Sequence, residues 1–287
     1  MSKEEQVIEG EKYDSDDRVR ADHTDLLYAD IPEGEPLLKI ENLNVTYRTD
    51  EKVTVAVNNI SFEVNKGELV SIVGPSGCGK STVLRCISGL LQPTSGTIMI
   101  GDKVCTVPGS DRGMVFQDFA LFPWRTVRKN IEFGLEIAGV PKEERRERSE
   151  RYLKAMGLLE FADSRIHELS GGMKQRVGIA RAMIMHPAVI LMDEPFGALD
   201  AQTRNILQES LVKVLNKSSR TIIFVTHSVD EALFLSDRII VLSKRPATIH
   251  KIFTVPGDRP RDRACPELTA LRGEILAYLQ SQNTMFD

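Results

Sequence analysis

The sequence predicts an α/β protein with a mainly parallel core sheet, an N-terminal antiparallel β subdomain and an inserted α-helical subdomain. Three observations carry that expectation. Ala188-Val189-Ile190-Leu191-Met192 and Thr221-Ile222-Ile223-Phe224-Val225 are continuous apolar runs separated by a helical stretch over residues 201–215. That pattern belongs to strands buried on both faces of a parallel sheet. Leu38-Lys39-Ile40, Val53-Thr54-Val55-Ala56-Val57 and Ile60-Ser61-Phe62-Glu63-Val64 alternate apolar with polar residues instead, as half-buried strands do, and Asn65-Lys66-Gly67 supplies a turn. Pro141-Lys142-Glu143-Glu144 then opens a charged helix reaching about Met156, with acids in its first turn.

In chain order, residues 1–36 read as an acidic extension. Residues 1–35 hold twelve acids and four bases, a local charge of −8 in a chain whose net charge is −4. Without periodic apolar residues the segment reads as solvated or disordered, with regulation or partner docking as the functional alternative. Residues 37–243 form the organised domain. Gly96-Thr97-Ile98-Met99-Ile100 and Gly113-Met114-Val115-Phe116-Gln117 are further short strands, and residues 118–174 are expected to be helical. Residues 244–287 form a C-terminal extension. There Leu268, Leu271, Ile275, Leu276 and Leu279 share one face of a helix starting near Pro266, suited to packing on its own domain.

The chemistry is concentrated in Gly74-Pro75-Ser76-Gly77-Cys78-Gly79-Lys80-Ser81-Thr82, between an apolar strand over residues 68–73 and a helix over residues 83–90. Glycines at this spacing let successive backbone N–H groups turn toward an anion, and the following helix adds the positive end of its dipole. The loop predicts a nucleoside triphosphate site in which Lys80 reaches the terminal phosphates and Ser81 holds Mg2+. In parallel sheets ligands sit at the carboxyl ends of the strands, and the residues there are Asp193, Glu194 and His227. Asp193 is placed to hold Mg2+ and Glu194 to polarise a water for attack on the γ-phosphate, with His227 contacting that phosphate. Alone, the acid pair reads equally as a helix cap and the histidine as a structural residue.

At 287 residues, 41% hydrophobic and 27% charged, the composition is that of an ordinary globular chain. No apolar run approaches the ~18–20 residues of a membrane span, and the charged start has no signal-peptide core, so a cytosolic location is expected. Bases after residue 35 are scattered among nearly as many acids, which gives nucleic-acid binding little support. The four cysteines, Cys78, Cys86, Cys105 and Cys265, lack the C-x-x-C spacing of a zinc site and read as reduced thiols.

Leu169-Ser170-Gly171-Gly172-Met173-Lys174-Gln175-Arg176 precedes a helix and leads into the Asp193 strand. Ser170 and the amides of Gly171 and Gly172 make a second anion grip at a helix start. This segment resembles the signature motif of ATP-binding cassette (ABC) proteins, and the resemblance runs from Leu37 to about Leu242. It implies a P-loop NTPase fold and a homodimer in which each ATP lies between the phosphate loop of one subunit and the signature of the other. It further implies that Tyr47 stacks on adenine, a core packing role being the alternative, and that Gln117 senses Mg2+ and the attacking water at the hinge of the helical subdomain. Gly197-Ala198-Leu199-Asp200 resembles the loop linking the two composite sites. Met173 departs from the glutamine that many cassettes carry there, which puts a polar contact from that side chain in doubt.

Phe122-Pro123-Trp124-Arg125-Thr126-Val127, the Met-containing signature and the tail from Arg245-Pro246 to Pro260-Arg261-Asp262 resemble ATPase subunits of nitrate, sulfonate, taurine and related importers. The implied activity is ATP hydrolysis that energises uptake of a small solute, an anion of this kind. Its implied partners are a membrane permease, met near Phe122, Trp124 and Arg125, and indirectly an extracytoplasmic solute-binding protein. This places the chain peripherally on the inner face of the membrane. Trp124 is open to either that interface or internal packing. An exporter ATPase or a non-transport cassette is the alternative, although a single phosphate loop and a single signature argue against the latter. Cys78, inside the phosphate loop, is expected either to expose the site to thiol modification or simply to fill the loop.

Overall fold

The structure is a computed structural model that describes residue 28 and residues 30–215 and 220–283. The acidic extension expected over residues 1–36 lies largely outside the described residues.

Two sheets share the described chain. The smaller is antiparallel, in the order β2-β1-β4-β5, from β1 (Pro36–Arg48), β2 (Val53–Asn65), β4 (Ser95–Ile100) and β5 (Lys103–Val104). The two alternating runs at residues 53–57 and 60–64 belong to one continuous strand. Register shifts along β1 and β2 and the positive φ of Asn42 (50°) and Asn59 (52°) let the long pair bend without parting. Asparagine tolerates that conformation better than most residues, which is how such bends are accommodated.

The larger sheet has the order β10-β9-β3-β8-β7-β6. Its strands are β3 (Leu69–Val73), β6 (Arg112–Val115), β7 (Val189–Asp193), β8 (Thr221–Val225), β9 (Arg238–Leu242) and β10 (Ile249–Thr254). All neighbours pair in parallel except β10, which returns antiparallel along β9 at the edge. Every residue of β3, β7 and β8 is buried, as their unbroken apolar sequences require.

Eight α-helices surround the sheets among the described residues. They are α1 (Lys80–Ile87), α2 (Val127–Ile131), α3 (Phe133–Ile137), α4 (Lys142–Ala155), α5 (Gly171–Met183), α6 (Ala201–Leu215), α7 (Val229–Leu235) and α8 (Pro266–Asn283). Helix α4 begins after Pro141 with Glu143 and Glu144 in its first turn. It buries only Arg148, Ser149 and Leu153, and Arg148–Glu144, Arg151–Glu147 and Lys154–Glu150 form i,i+4 ion pairs along it.

Two expectations differ from the structure. β6 ends at Val115, so Phe116 and Gln117 lie beyond the strand, and residues 118–126 form an irregular loop rather than helix. Phe119 and Ala120 take positive φ values of 58° and 46° there. Arg181 of α5 donates to the carbonyls of both, at 3.1 and 2.6 Å. A guanidinium thus supplies the partners that a helix would have supplied internally.

Helix α8 packs on its own domain. Leu268 and Ile275 are buried against Val73, Val229, Leu233, Ile239 and Val241, with Leu271, Leu276 and Leu279 packed at the margin. No helix among the described residues is long and apolar enough to cross a membrane.

Candidate nucleotide site

The glycine-rich loop leaves the buried end of β3 and closes on the first turn of α1. Gly79, which caps α1, has φ 130°. A Cβ there would lie 3.1 Å from the Ala56 carbonyl and 3.4 Å from Ala247 Cβ, so conformation and space both call for glycine. Lys80 is buried, and its Nζ donates to the carbonyls of Gly74 (2.9 Å) and Pro75 (3.1 Å). An ammonium carries three protons, so these bonds hold the loop and leave a donor for an anion within it. Ser76 and Gly77 are exposed at the tip of the loop.

Ser81, in the first turn of α1, donates from Oγ to Asp193 Oδ1 at 2.9 Å. Asp193 ends β7, and burial pushes its carboxyl above the ordinary range against the opposing effect of that hydrogen bond, with Glu194 raising it further. Two hard oxygen donors from different elements therefore meet at the strand end, the donor chemistry a Mg2+ ion takes. A buried carboxylate with raised pKa costs stability at neutral pH. Its contribution is most favourable below the unfolded pKa and is lost as pH rises through the folded one. Asp193→Asn, which removes the buried charge, is accordingly expected to raise Tm near neutral pH. The gain should shrink toward the ordinary aspartate value of ~3.9, and melts at both pH values check this.

Glu194 follows with φ 44°, a strained conformation for a non-glycine residue, held by a 2.9 Å bond from its N–H to the Val225 carbonyl. The strain turns its side chain toward His227, whose Nδ1 lies 3.0 Å from Glu194 Oε2. His227 itself is fixed by its neighbours. Thr226 donates from its hydroxyl to buried Glu231 at 2.6 Å, and Ser228 caps α7 by accepting from the Glu231 N–H. Gln117 reaches the same place from the far edge of the sheet. A Cβ built on Gly197 would lie 3.6 Å from Glu194 Oε2 and 3.7 Å from Gln117 Nε2, so both side chains flank one point.

Tyr47, at the end of β1, shares a 3.3 Å hydrogen bond with the Thr82 hydroxyl and is 39% exposed. Its ring is therefore on the surface beside α1, and the core-packing alternative is set aside. For Cys78 the loop-filling alternative is the one the structure supports. Its side chain is 1% exposed and packed with the apolar residues under the loop, and burial raises its thiol pKa. A thiolate is the reactive form, so this cysteine fills space rather than offering a modification site.

The signature segment lies at the start of α5. Ser170 caps that helix by accepting from the Met173 N–H at 3.3 Å, while Gly171 faces Leu199. Gly172 touches α6 so closely that a Cβ would fall 2.5 Å from Thr203 Cγ2. Asp200 in turn caps α6, and the Thr203 N–H it accepts at 2.9 Å holds its carboxyl below the usual range. The structure thus joins Ser170, Gly171, Gly172 and Asp200 in one unit. It joins Lys80, Ser81, Asp193, Glu194, His227 and Gln117 in another, around the phosphate loop. Met173 is partly buried against the core, consistent with its apolar character.

Sequence reasoning missed three residues of this region. Thr203, Ala247 and Arg245 contact Gly172, the Gly79 backing and Gly77 respectively; Thr203 and Ala247 lie in no motif, and Arg245 stood only as part of the C-terminal tail, with no site role. Only the demand for close approach at Gly172 and Gly79 hinted that a neighbour must lie there.

Phe122, Trp124 and Arg125 lie on the irregular loop between β6 and α2. Trp124 is 69% exposed, its ring 5.6 Å from that of Phe122. Arg125 spans the rings of Phe122 (5.9 Å) and Phe133 (4.9 Å) and pairs with Glu136 at 2.6 Å. Internal packing is therefore not the role of Trp124.

Comparison with known proteins places the chain in a family. The ABC transporter family model matches residues 57–197. An uncharacterized ABC transporter ATP-binding protein of Methanocaldococcus jannaschii is 49% identical over 245 residues, spanning 85% of this chain and 92% of the relative. The nitrate import ATP-binding protein of Synechocystis is 46% identical over 256 residues, spanning 86% and 96%. The taurine import ATP-binding protein of Pelagibacter ubique is 42% identical over 247 residues, spanning 83% and 93%. Among solved structures, a dimeric ATP-binding cassette in a post-hydrolysis state bound to ADP and Pi superimposes with a TM-score of 0.68 at 34% identity, covering 77% of this chain and all of that one. The chain therefore belongs to the ABC transporter ATP-binding family.

Proposed function

We propose that this chain is the ATP-binding and ATP-hydrolysing subunit of an importer for a small anionic solute, of the nitrate, sulfonate or taurine kind. The convergence of Lys80, Ser81, Asp193, Glu194 and His227 around one glycine-rich loop carries the reading. Relatives named for nitrate and taurine import support its direction and the chemical class of its cargo.

Backbone N–H groups of the loop after Pro75 and the remaining proton of Lys80 bind the β- and γ-phosphates, with the α1 dipole adding to their attraction. The residues that would hold Mg2+ are Ser81, Asp193 and Gln117, where the ion would neutralise phosphate charge. Glu194 accepts the proton of the water that attacks the γ-phosphorus as the bond to the ADP oxygen breaks. His227, 3.0 Å from Glu194, fixes its direction and in this reading contacts the γ-phosphate. Tyr47 offers an exposed ring to the adenine.

Ser170 and the amides of Gly171 and Gly172 face a second copy's nucleotide in this reading, so that ATP favours the closed homodimer by its contacts to both chains. Asp200, on the loop into α6, links the two sites. Closure moves the helical subdomain bearing Phe122, Trp124 and Arg125, and through it a membrane permease that receives solute from an extracytoplasmic binding protein. The chain would then sit on the cytoplasmic face of the membrane, held there by its permease.

The exposed aromatic and Arg cluster suits such an interface. The test reconstitutes the chain in lipid vesicles with candidate permeases, and adds solute-loaded binding protein. Loaded binding protein is expected to raise ATP hydrolysis, and Trp124→Ala should lose most of that increment while basal hydrolysis stays within about twofold, since a well-buried interface aromatic is worth ~2 kcal/mol or more. Hydrolysis indifferent to every permease would refute the importer reading and leave the ATPase reading standing.

A further inference from the structure

Arg245 lies 168 residues from the phosphate loop, yet its Nη2 donates to the Gly77 carbonyl at 2.6 Å. The Gly77–Cys78 peptide is held at its other end as well, because the Cys78 N–H donates to the Pro75 carbonyl at 3.2 Å. That same Pro75 oxygen accepts from Lys80 Nζ at 3.1 Å, and Lys80 continues to Gly74 at 2.9 Å. One chain of hydrogen bonds therefore runs from Arg245 through the Gly77–Cys78 peptide to the Lys80 ammonium.

The turn that carries Arg245 is itself braced. Ser243 bonds Thr248 through both backbone and hydroxyl, Ala247 exchanges hydrogen bonds with Ala56 and Asn58 of β2, and Gln282 of α8 accepts from the Lys244 N–H. Arg245 is exposed, so its side chain contributes little to the core, and its guanidinium bonds the loop. A fixed base, a fixed cation and a single target peptide are the features of a group that orients something else.

We propose that Arg245 is a positioning residue of the phosphate loop, whose guanidinium sets the Gly77–Cys78 peptide and thereby the Pro75 carbonyl and Lys80 ammonium for the phosphates of ATP. This rests on the reading of the loop as the ATP site. The C-terminal extension is thereby part of the nucleotide site, through a turn secured by β2 and α8.

The test measures ATP affinity and the kinetics of hydrolysis for the full chain and for Arg245→Ala and Arg245→Lys, with Lys80→Ala beside them. Arg245→Ala is expected to raise Kd and KM for ATP about three- to tenfold, as loss of one charge-assisted hydrogen bond would, with kcat within about twofold and Tm unchanged. Arg245→Lys, which keeps a cation and a donor, should recover most of the affinity. Unchanged Kd in Arg245→Ala, while Lys80→Ala loses binding, overturns the inference and leaves the ATP site in place. A fall in Tm with Kd unaltered also overturns it, since it reduces Arg245 to a structural brace. A parent chain that binds no ATP removes the reading on which the inference stands.

Discussion

Glu194→Gln is expected to lower ATP hydrolysis by about 10²-fold or more while ATP binds within about threefold of the parent affinity. General-base removal costs on that order, and the amide cannot take the water proton. The change keeps the shape of the side chain and an oxygen or nitrogen for the 3.0 Å contact to His227, so the site should stay assembled. Single-turnover phosphate release, measured beside equilibrium binding of ATP, checks both halves. Turnover close to the parent rate would remove Glu194 from the role and direct attention to Gln117 and His227, which flank the same point.

Lys80→Ala is expected to fail earlier, at binding. The lost ammonium is buried and holds two carbonyls of the loop as well as offering its third proton to phosphate. Charge-assisted hydrogen bonds in such a place are worth ~1.5–3 kcal/mol, so ATP affinity should fall about ten- to a hundredfold or more. The two variants separate the steps. One binds without hydrolysing, whereas the other should show little occupancy at concentrations that saturate the parent. Isothermal titration with ATP and Mg2+ reads the difference, and unchanged affinity in Lys80→Ala would contradict the placement of the phosphates.

Much of this architecture is legible in the chain because its signals are local. Short, β-branched apolar runs alternating with helical stretches argue strands covered on both faces, and β7 and β8 are fully buried accordingly. The glycine spacing of the loop, the serine before Gly171 and the proline before α4 are likewise short-range chemistry, and each marks an element boundary that the structure contains. The loop after β6 was not legible. Its backbone is satisfied by Arg181 from another helix, and a positive φ at Phe119 and Ala120 has no sequence signature. Nor was the continuity of β2, since an asparagine at positive φ reads as a turn until its partner strand bends with it.

For the site, the types of residue were readable and their pairings were not. Ser81 meets Asp193 across 112 residues, and Glu194 meets His227 across 33. Both pairs follow from parallel strands ending together, so the fold class itself brings them to one edge. Arg245 follows from nothing of that kind. It arrives from a turn outside the family match at residues 57–197, and only coordinates reveal its partner. Cys78 was open to two readings in the sequence, because a position inside a functional loop says nothing about which way its side chain points, and its burial decides for loop filling.

In the proposed cycle, two copies of this chain complete each ATP-hydrolysing site. It is tested most directly by phosphate release per chain at saturating ATP and Mg2+, measured as the concentration of the purified chain is varied. A rate per chain that climbs with concentration before levelling off is the expected result, since each phosphate loop then waits for a partner's Ser170 and glycines. A rate per chain that stays constant down to the lowest concentration, in a protein that sedimentation shows to be monomeric throughout, would contradict it.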